Sequence, residues 1–315
     1  MSTPDTTRIV PDREQITAAA ALISAQVRRT PVVEYEIAGR SVLLKLELLQ
    51  HAGSFKPRGA FTTVLSALAD GVRPDRLVAA SGGNHGLAVA HVGRAVGIPT
   101  EIFVPAAAPA VKVAAIRARG AVVRLVGAGY AEALLASAER SAERGSLSVH
   151  AYDAVPTVTG QGTVALELGQ QAEVDTVVVA VGGGGLIGGI AAWCAGRKQV
   201  VGVEPGSCPT MHQALAAGQP VDVAVSGVAV DALGASRFGS IAYDAVWAAG
   251  VRSVLVEDAD IVAARRQLWQ DLRIAAEPAG AAALAALISG AYQPRSGERV
   301  AVIICGGNAD PGDLG

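Results

Sequence analysis

The sequence predicts an α/β protein of two lobes, each an open, mostly parallel sheet flanked by helices. Length is the first reason, since 315 residues exceed the usual size of a single core. Composition is the second: 51% of residues are hydrophobic but only 4% aromatic, and 37 are glycine, so the apolar mass is Ala, Val, Leu and Ile. The third is rhythm, because strand-like apolar runs alternate with alanine-rich helical runs, as in parallel βαβ units.

Taken in order, Asp12 is placed to cap a helix reaching about Arg29, with Ile16, Ala19, Ala20, Ile23 and Val27 near helical spacing and "RTP" as its stop. "SVLLKLELL" (41–49) reads as a buried strand, and "GSFKPRGA" (53–60) follows it directly. Next come "RLVAAS" (76–81) before "GLAVAHVGRAVG", "TEIFVP" (100–105) before "AVKVAAIRARG", and "AVVRLVG" (121–127) before "YAEALLASAERSAER". The pattern resumes with "DTVVVAVGGGG" (175–185), a helix from about Leu186, "QVVGVEP" (199–205), a long mixed segment and "ERVAVIICGGN" (298–308). No Pro/Ser linker separates the halves. Strand grouping sets the expected boundary: 52–152 form a small domain inserted into a large one built from 1–51 and 153–315.

Charge narrows the partners. The 26 basic and 28 acidic residues are scattered and sum to −2, which leaves no electrostatic footprint for nucleic acid or an anionic membrane and points to small molecules. Cys194, Cys208 and Cys305 have neither disulfide nor zinc spacing and read as free thiols in a reducing compartment. The opening "MSTPDTTRIVPDRE" reads as frayed, with no leader, and no run reaches the roughly eighteen apolar residues of a spanning helix, so a cytoplasmic location is expected.

Ligands of open α/β sheets bind beyond the carboxyl ends of the strands, and here four strand ends carry unusual loops: "GSFKPRGA", "SGGNHG", "VGGGGLIGG" and "CGGN". In the third, Gly182 to Gly185 join a strand to a helix, so that backbone N–H groups can ring an anion such as phosphate. The same run contains "GGGLIG" (183–188), with Glu204 about 20 residues on, as in a dinucleotide fingerprint. An NAD-dependent oxidoreductase is therefore a rival, though one that leaves the lysine loop and "SGGNHG" without a task. Ser81 to Gly86 suit a carboxylate held by N–H groups and the Ser81 hydroxyl, with Asn84 adding a directional amide, although a plain helix cap would also explain a lone Ser or Asn. His85 is expected to support rather than react, and His51, His91, His150 and His212 lie in separate segments and read as structural.

Lys56 is the odd residue, because it falls in the first turn of an expected helix, where the macrodipole disfavours a cation. An amine whose pKa is lowered there and by burial becomes a nucleophile able to form a Schiff base with an aldehyde cofactor. A solvated surface lysine is the expectation for Lys45, Lys112 and Lys198 instead. Cys305, where a buried run reaches the surface, reads alone as a small hydrophobe and beside the other loops as a group facing a ligand ring.

Together, in order and spacing from "RRTP" to "CGGN", the loops resemble those of the fold type II pyridoxal phosphate enzymes, the tryptophan synthase beta-like group, and within it the serine/threonine dehydratases. The resemblance implies a cofactor in the cleft between the lobes. It implies that Lys56 forms the internal aldimine, that Phe55 flanks the pyridine ring, and that Asn84 bonds the cofactor's hydroxyl. Gly182, Gly183, Gly184, Gly185 and Leu186 would bind its phosphate, Cys305 would face the pyridine nitrogen, and Ser81, Gly82, Gly83, Asn84 and His85 would hold the substrate carboxylate. The implied reaction is β-elimination of L-serine or L-threonine to pyruvate or 2-oxobutanoate plus ammonia, in a homodimer. A neutral thiol at the ring nitrogen makes a weaker electron sink than a carboxylate, which suits quick elimination.

Departures from the pattern sharpen this. Serine racemases place a serine base two residues before the asparagine; here that residue is Gly82, which disfavours racemisation, while a lyase for another β-hydroxy amino acid such as 3-hydroxyaspartate stays open. A cation site would fall on Glu204, Cys208 and Thr210, with Leu233 and Ala235 adding carbonyls, a set suited to K+ ahead of Mg2+ or Mn2+; otherwise Glu204 merely ends its strand. Glu277 opens a helix, where the dipole already favours a carboxylate, and is a secondary candidate by resemblance; Asp231 is unassigned. Because the chain stops just after "CGGN", no appended regulatory domain is expected.

Overall fold

A computed structural model describes residues 10–37, 39–310 and 312; the opening residues read as frayed lie outside the described residues up to Ile9. The chain begins with α1 (Arg13–Ile23), the hairpin β1 (Val32–Ile37) and β2 (Arg40–Lys45), and α2 (Pro57–Ala69). Strand–helix steps follow: β3 (Arg76–Ala80) to α3 (Asn84–Val96), β4 (Thr100–Val104) to α4 (Ala110–Arg117), β5 (Val122–Leu125) to α5 (Tyr130–Ala142), and β6 (Ser146–Ser148) to α6 (Val155–Gln171). The remainder is β7 (Thr176–Ala180), α7 (Gly185–Cys194), β8 (Gln199–Pro205), α8 (Thr210–Ala217), α9 (Val230–Leu233), α10 (Ser240–Ala248), β9 (Arg252–Val256), α11 (Asp258–Leu272), α12 (Pro278–Ile288) and β10 (Val300–Ile303).

Two sheets result, as the composition and rhythm predict. One has the order β1-β2-β10-β7-β8-β9 and is parallel apart from the β1–β2 hairpin; the other, β5-β4-β3-β6, is parallel throughout. Their central strands are buried runs such as "TVVVA" and "TEIFV", the signature of sheets covered on both faces. The larger core gathers Leu44, Val178, Val203 and Ile303 under the alanine-rich α12, and the smaller gathers Leu77, Ile102, Val89 and Ile116. Helix α2 serves both sheets. Phe61 and Val64 enter the smaller core, while Gly59 meets α6 so closely that a Cβ there would stand 2.7 Å from the Thr157 carbonyl oxygen.

Several elements differ from the expectation. Helix α1 stops at Ile23 rather than near Arg29, because Arg28 exchanges two bonds with the Gln50 amide: its N–H donates to Gln50 Oε1 (2.8 Å) and its carbonyl accepts from Gln50 Nε2 (2.8 Å). The strand expected over 41–49 ends at Lys45, after which Glu47–Leu49 make a tight turn. Strands β1 and β6 and helix α6 escaped the sequence reading. β6 is three residues long, and α6 carries the glycines and threonines of "VPTVTGQGT", which mask helical spacing.

Lys45 is the clearest correction, since it is not a surface lysine but fully buried (0% exposed). Its ammonium donates to the Thr30 carbonyl (2.8 Å), to Gln171 Oε1 (2.7 Å) and to the Glu167 carboxylate. Arg58, in the lysine loop's own motif, forks onto Glu47 at 2.8 and 2.7 Å and reaches Glu167 at 3.1 Å. Two cations thus face two carboxylates out of water, a balanced set in which every charge has a partner. Neither of the other two lysines is free: Lys112 pairs with Asp231 at 2.5 Å and Lys198 donates to the Val174 carbonyl at 2.7 Å. Arg58→Met, which strands Glu47 without its fork, is expected to lower stability by about 3–5 kcal/mol in urea unfolding; a loss below about 1 kcal/mol, typical of an exposed pair, would contradict the buried reading.

Candidate active site

Main-chain bonds fix the site before any side chain acts. Ile304 N–H donates to the Lys45 carbonyl (2.9 Å), Leu48 N–H to that of Ile304 (2.9 Å), Phe55 N–H to that of Cys305 (3.2 Å), and Gly307 N–H to that of Gly53 (2.9 Å). Ser54 and Gly306 pair as an isolated bridge within this seam. The lysine loop and "CGGN" therefore lie side by side beyond the ends of β2 and β10.

Lys56 is the N-cap of α2, with Pro57 as first helical residue, so no backbone donor is lost to the proline. Its amine donates to the Ala151 carbonyl (2.8 Å) and lies 5.1 Å from the centre of the Phe55 ring. Burial pulls it down to about 8, opposed by Cys305 and Glu277. The accepting carbonyl belongs to the segment 149–154 after β6, which the sequence reading passed over. That segment is a hub: the Val149 carbonyl accepts from His85 Nε2 (2.7 Å), and Asp153 accepts the N–H groups of Ser240 (3.1 Å) and Ile241 (3.0 Å), capping α10. His150 Nδ1 accepts from Asp153 N–H at 2.8 Å. "HAYDAVP" has no glycine signature and its partners are remote in sequence, so nothing local marks it.

The glycine run is dictated by its neighbours. A Cβ on Gly183 would stand 2.5 Å from the Tyr152 ring, on Gly184 2.5 Å from Phe238, on Gly182 2.9 Å from Leu233 Cα, and on Gly185 2.9 Å from Tyr152 Cα. Gly184 also has φ +97°, which only glycine adopts freely. With no side chain admitted, the first-turn N–H groups of α7, through Leu186, keep their capacity for an anion. A Cβ on Gly188, the last glycine of the dinucleotide-like pattern, would stand 2.9 Å from Ala242 Cα, and Glu204 is fully buried.

In "SGGNHG", Ser81 Oγ accepts the Gly83 N–H (3.2 Å) and Gly83 is the N-cap of α3. Asn84 makes no cap bond: its amide donates to Glu277 Oε1 (2.5 Å) and accepts from Asn308 Nδ2 (2.7 Å). The His85 ring is buried and committed to Val149, and burial followed by the Lys56 charge pulls it down to about 3, so it is neutral and only its main chain belongs to the loop. Glu277 does more than complement a dipole: it makes no side-chain cap bond, is 5% exposed, and is pushed up to about 7 by burial, with the Asn84 bond opposing. The Cys305 thiol, 3% exposed, donates weakly to the Ala279 carbonyl (3.5 Å), and burial pushes it far up, so it keeps its proton.

Three of the five expected cation ligands, Glu204, Cys208 and Thr210, are joined by hydrogen bonds. Glu204 is fully buried, and its carboxylate accepts from Met211 N–H (2.6 Å), His212 N–H (2.8 Å) and Thr210 Oγ1 (3.2 Å), which makes it the cap of α8. Burial pushes it up to about 7 against those donors. Thr210 N–H takes the Cys208 carbonyl (3.1 Å), and the Cys208 thiol donates to the Ser226 carbonyl (3.0 Å). Leu233 backs Gly182, and Ala235 follows it at intermediate exposure. Among the described residues, no group of three or more His, Cys, Asp or Glu could hold a metal ion. Asp231, unassigned from sequence, pairs with Lys112 and thereby ties α9 to α4.

A buried amine of lowered pKa, an uncapped helix start, a protonated thiol and a directed amide fit a phosphate ester that carries an aldehyde and a heteroaromatic ring. In the protein without cofactor, labelling of Lys56 by an amine-directed reagent should reach half its maximal rate near pH 8, because a lysine with lowered pKa gains its neutral form as pH rises through that value. A midpoint near 10.4, that of a solvated lysine, would contradict the burial argument.

The chain is similar to known proteins over most of its length. The chain is 36% identical to phenylserine dehydratase of Ralstonia pickettii, covering 98% of this chain and 97% of that protein. It is 38% identical to a biosynthetic L-threonine dehydratase of Mycobacterium leprae, over 94% of this chain and 72% of the relative. The solved structure of maize serine racemase superposes with a TM-score of 0.90 at 31% identity, covering 97% of this chain and 96% of that one. Residues 23–306 match the family model described as pyridoxal-phosphate dependent enzyme, and the chain belongs to that family.

Proposed function

We propose that the protein is an ammonia-lyase that converts L-serine or L-threonine by β-elimination to pyruvate or 2-oxobutanoate and ammonia. The observation that carries this is the pairing of a buried amine, Lys56, with a loop whose corresponding position, Gly82, has no hydroxyl to offer from the opposite side. Relatives named as dehydratases of threonine and phenylserine support it.

When bound, pyridoxal phosphate supplies an aldehyde that captures amines and a conjugated ring that withdraws electrons from the substrate Cα. The protein's part is to place and protonate. The Gly182–Leu186 N–H groups would hold the phosphate, and Phe55 and Cys305 would bound the ring, the thiol keeping its own proton. Ser81, Gly82, Gly83, Asn84 and the main chain of His85 would orient the substrate carboxylate. Lys56 Nζ, once neutral, would accept the Cα proton. Loss of that proton and of the β-hydroxyl releases water, and hydrolysis of the C–N bond returns it, so the net change is amino acid to 2-oxo acid and ammonia.

The same reading divides the chain into the large domain 1–51 and 153–315 and the small domain 52–152. It also carries a homodimer, a cytoplasmic location and, for any cation at Glu204, K+. No described helix is long and apolar enough to cross a membrane.

Racemisation is the second reading, favoured by the likeness to maize serine racemase and opposed by Gly82. Incubation of the holoenzyme with L-serine, L-threonine, phenylserine and 3-hydroxyaspartate should yield a 2-oxo acid and ammonia in equal amounts from at least one of the first two. D-serine as the main product from L-serine would overturn the proposal, as would 2-oxo acid from 3-hydroxyaspartate alone. A side chain fits at Gly82, where an added Cβ would meet only Val104 Cγ1 at 3.7 Å. Gly82→Ser should therefore fold normally and raise the D-serine to pyruvate ratio. An unchanged ratio in a folded variant would remove Gly82 as the determinant.

A further inference from the structure

Asn84 is held by a relay that no single loop could build. Asn308 Nδ2 donates both to the Ala52 carbonyl (2.8 Å) and to Asn84 Oδ1 (2.7 Å). A carbonyl oxygen can only accept, so Ala52 settles which end of the Asn308 amide faces inward. That in turn requires the Asn84 atom facing Asn308 to be oxygen, and the Asn84 amide nitrogen to face Glu277 Oε1, where it donates at 2.5 Å. Each orientation follows from the one before, starting from a main-chain atom.

The backbone is shaped around this chain of bonds. Ala52 has φ +59°, one of two non-glycine residues with positive φ among the described residues, a conformation costing about 1 kcal/mol or more. Gly53 has φ +74°, and a Cβ there would overlap the Asn308 carboxamide. A Cβ on Gly306 would overlap the Glu277 carboxylate and come within 3.3 Å of Asn84 Nδ2, while Gly306 also accepts the Glu277 N–H at 3.1 Å. The glycines that open "GSFKPRGA" and follow Cys305 thus clear space for the relay.

We propose that Asn308 and Glu277 are positioning residues that hold the Asn84 amide with one N–H committed to Glu277 and its oxygen to Asn308, so that it offers the cleft a donor, its remaining N–H. The chemistry this recognises is an oxygen acceptor. On the reading of the cleft as a pyridoxal phosphate site, on which this part of the inference rests, that acceptor is the cofactor's phenolic oxygen.

Asn308→Asp tests the relay, because a carboxylate of the same shape donates to neither Ala52 nor Asn84; Asn308→Ala removes the link altogether. Asn308 is exposed, and thermal melts should match the parent protein in both variants. In the cofactor-free protein, the side-chain amide NMR signals of Asn84 should shift and lose protection from exchange in both. In titrations with pyridoxal phosphate, the visible band should move and Kd should rise about tenfold, the equivalent of one hydrogen bond. A purely structural Asn308 would move the melts and leave the band in place. Unchanged Asn84 signals in either variant would overturn the relay, whatever the cofactor does. Failure of the parent protein to bind pyridoxal phosphate would instead overturn the functional reading, with the Asn84 signals still deciding the relay.

Discussion

The candidate site depends on one seam, the main-chain pairing of residues 45–55 against 303–307. It begins as the regular β2–β10 ladder and continues past the strand ends, where Phe55 bonds Cys305 and Gly53 bonds Gly307. Lys56 is the next residue after that pairing, so its position relative to Cys305 is set by backbone geometry. Behind it, Lys45, Glu47, Arg58 and Glu167 form a buried set of two positive and two negative charges. Such a set adds little net stability over a packed apolar core. It does specify geometry, because removing any one member leaves the buried set with an unbalanced charge.

Burial drives the site's titratable groups toward their neutral forms. The same desolvation lowers the Lys56 amine and raises the Glu277 carboxyl and the Cys305 thiol. The amine gains nucleophilicity, while the thiol is kept from becoming an anion near the ring. The helix start at α7 supplies positive potential without a titratable group, from peptide N–H alone. One environment thus favours the neutral forms of amine and thiol alike.

How much of this the sequence disclosed follows from the range of the interactions. The four strand-end loops were legible because glycine runs at the ends of apolar strands have few local explanations. Lys56 was legible because a cation at a helix start is locally wrong. Lys45 was misread, since a lysine in "LLKLE" looks amphipathic and its partner Glu167 lies 122 residues away. The segment carrying Ala151, Tyr152 and Asp153 was missed for the same reason: each side chain or carbonyl answers a group on another element, with no pattern of its own. Asn308 ends "CGGN" with no local signature of a role, because its worth lies in Ala52 and Asn84, which only the folded chain brings together. Glu204 shows the reverse case, a motif position whose carboxylate is already engaged by the helix it caps.

On the proposed function, Lys56 is the nitrogen that would bond the cofactor aldehyde. Borohydride reduction of the protein loaded with pyridoxal phosphate, followed by peptide mass spectrometry, reads this directly. The account predicts a stable pyridoxyl adduct on the peptide containing Lys56 alone. An adduct on Lys45, Lys112 or Lys198, or no adduct in a protein that has taken up the cofactor, would contradict it.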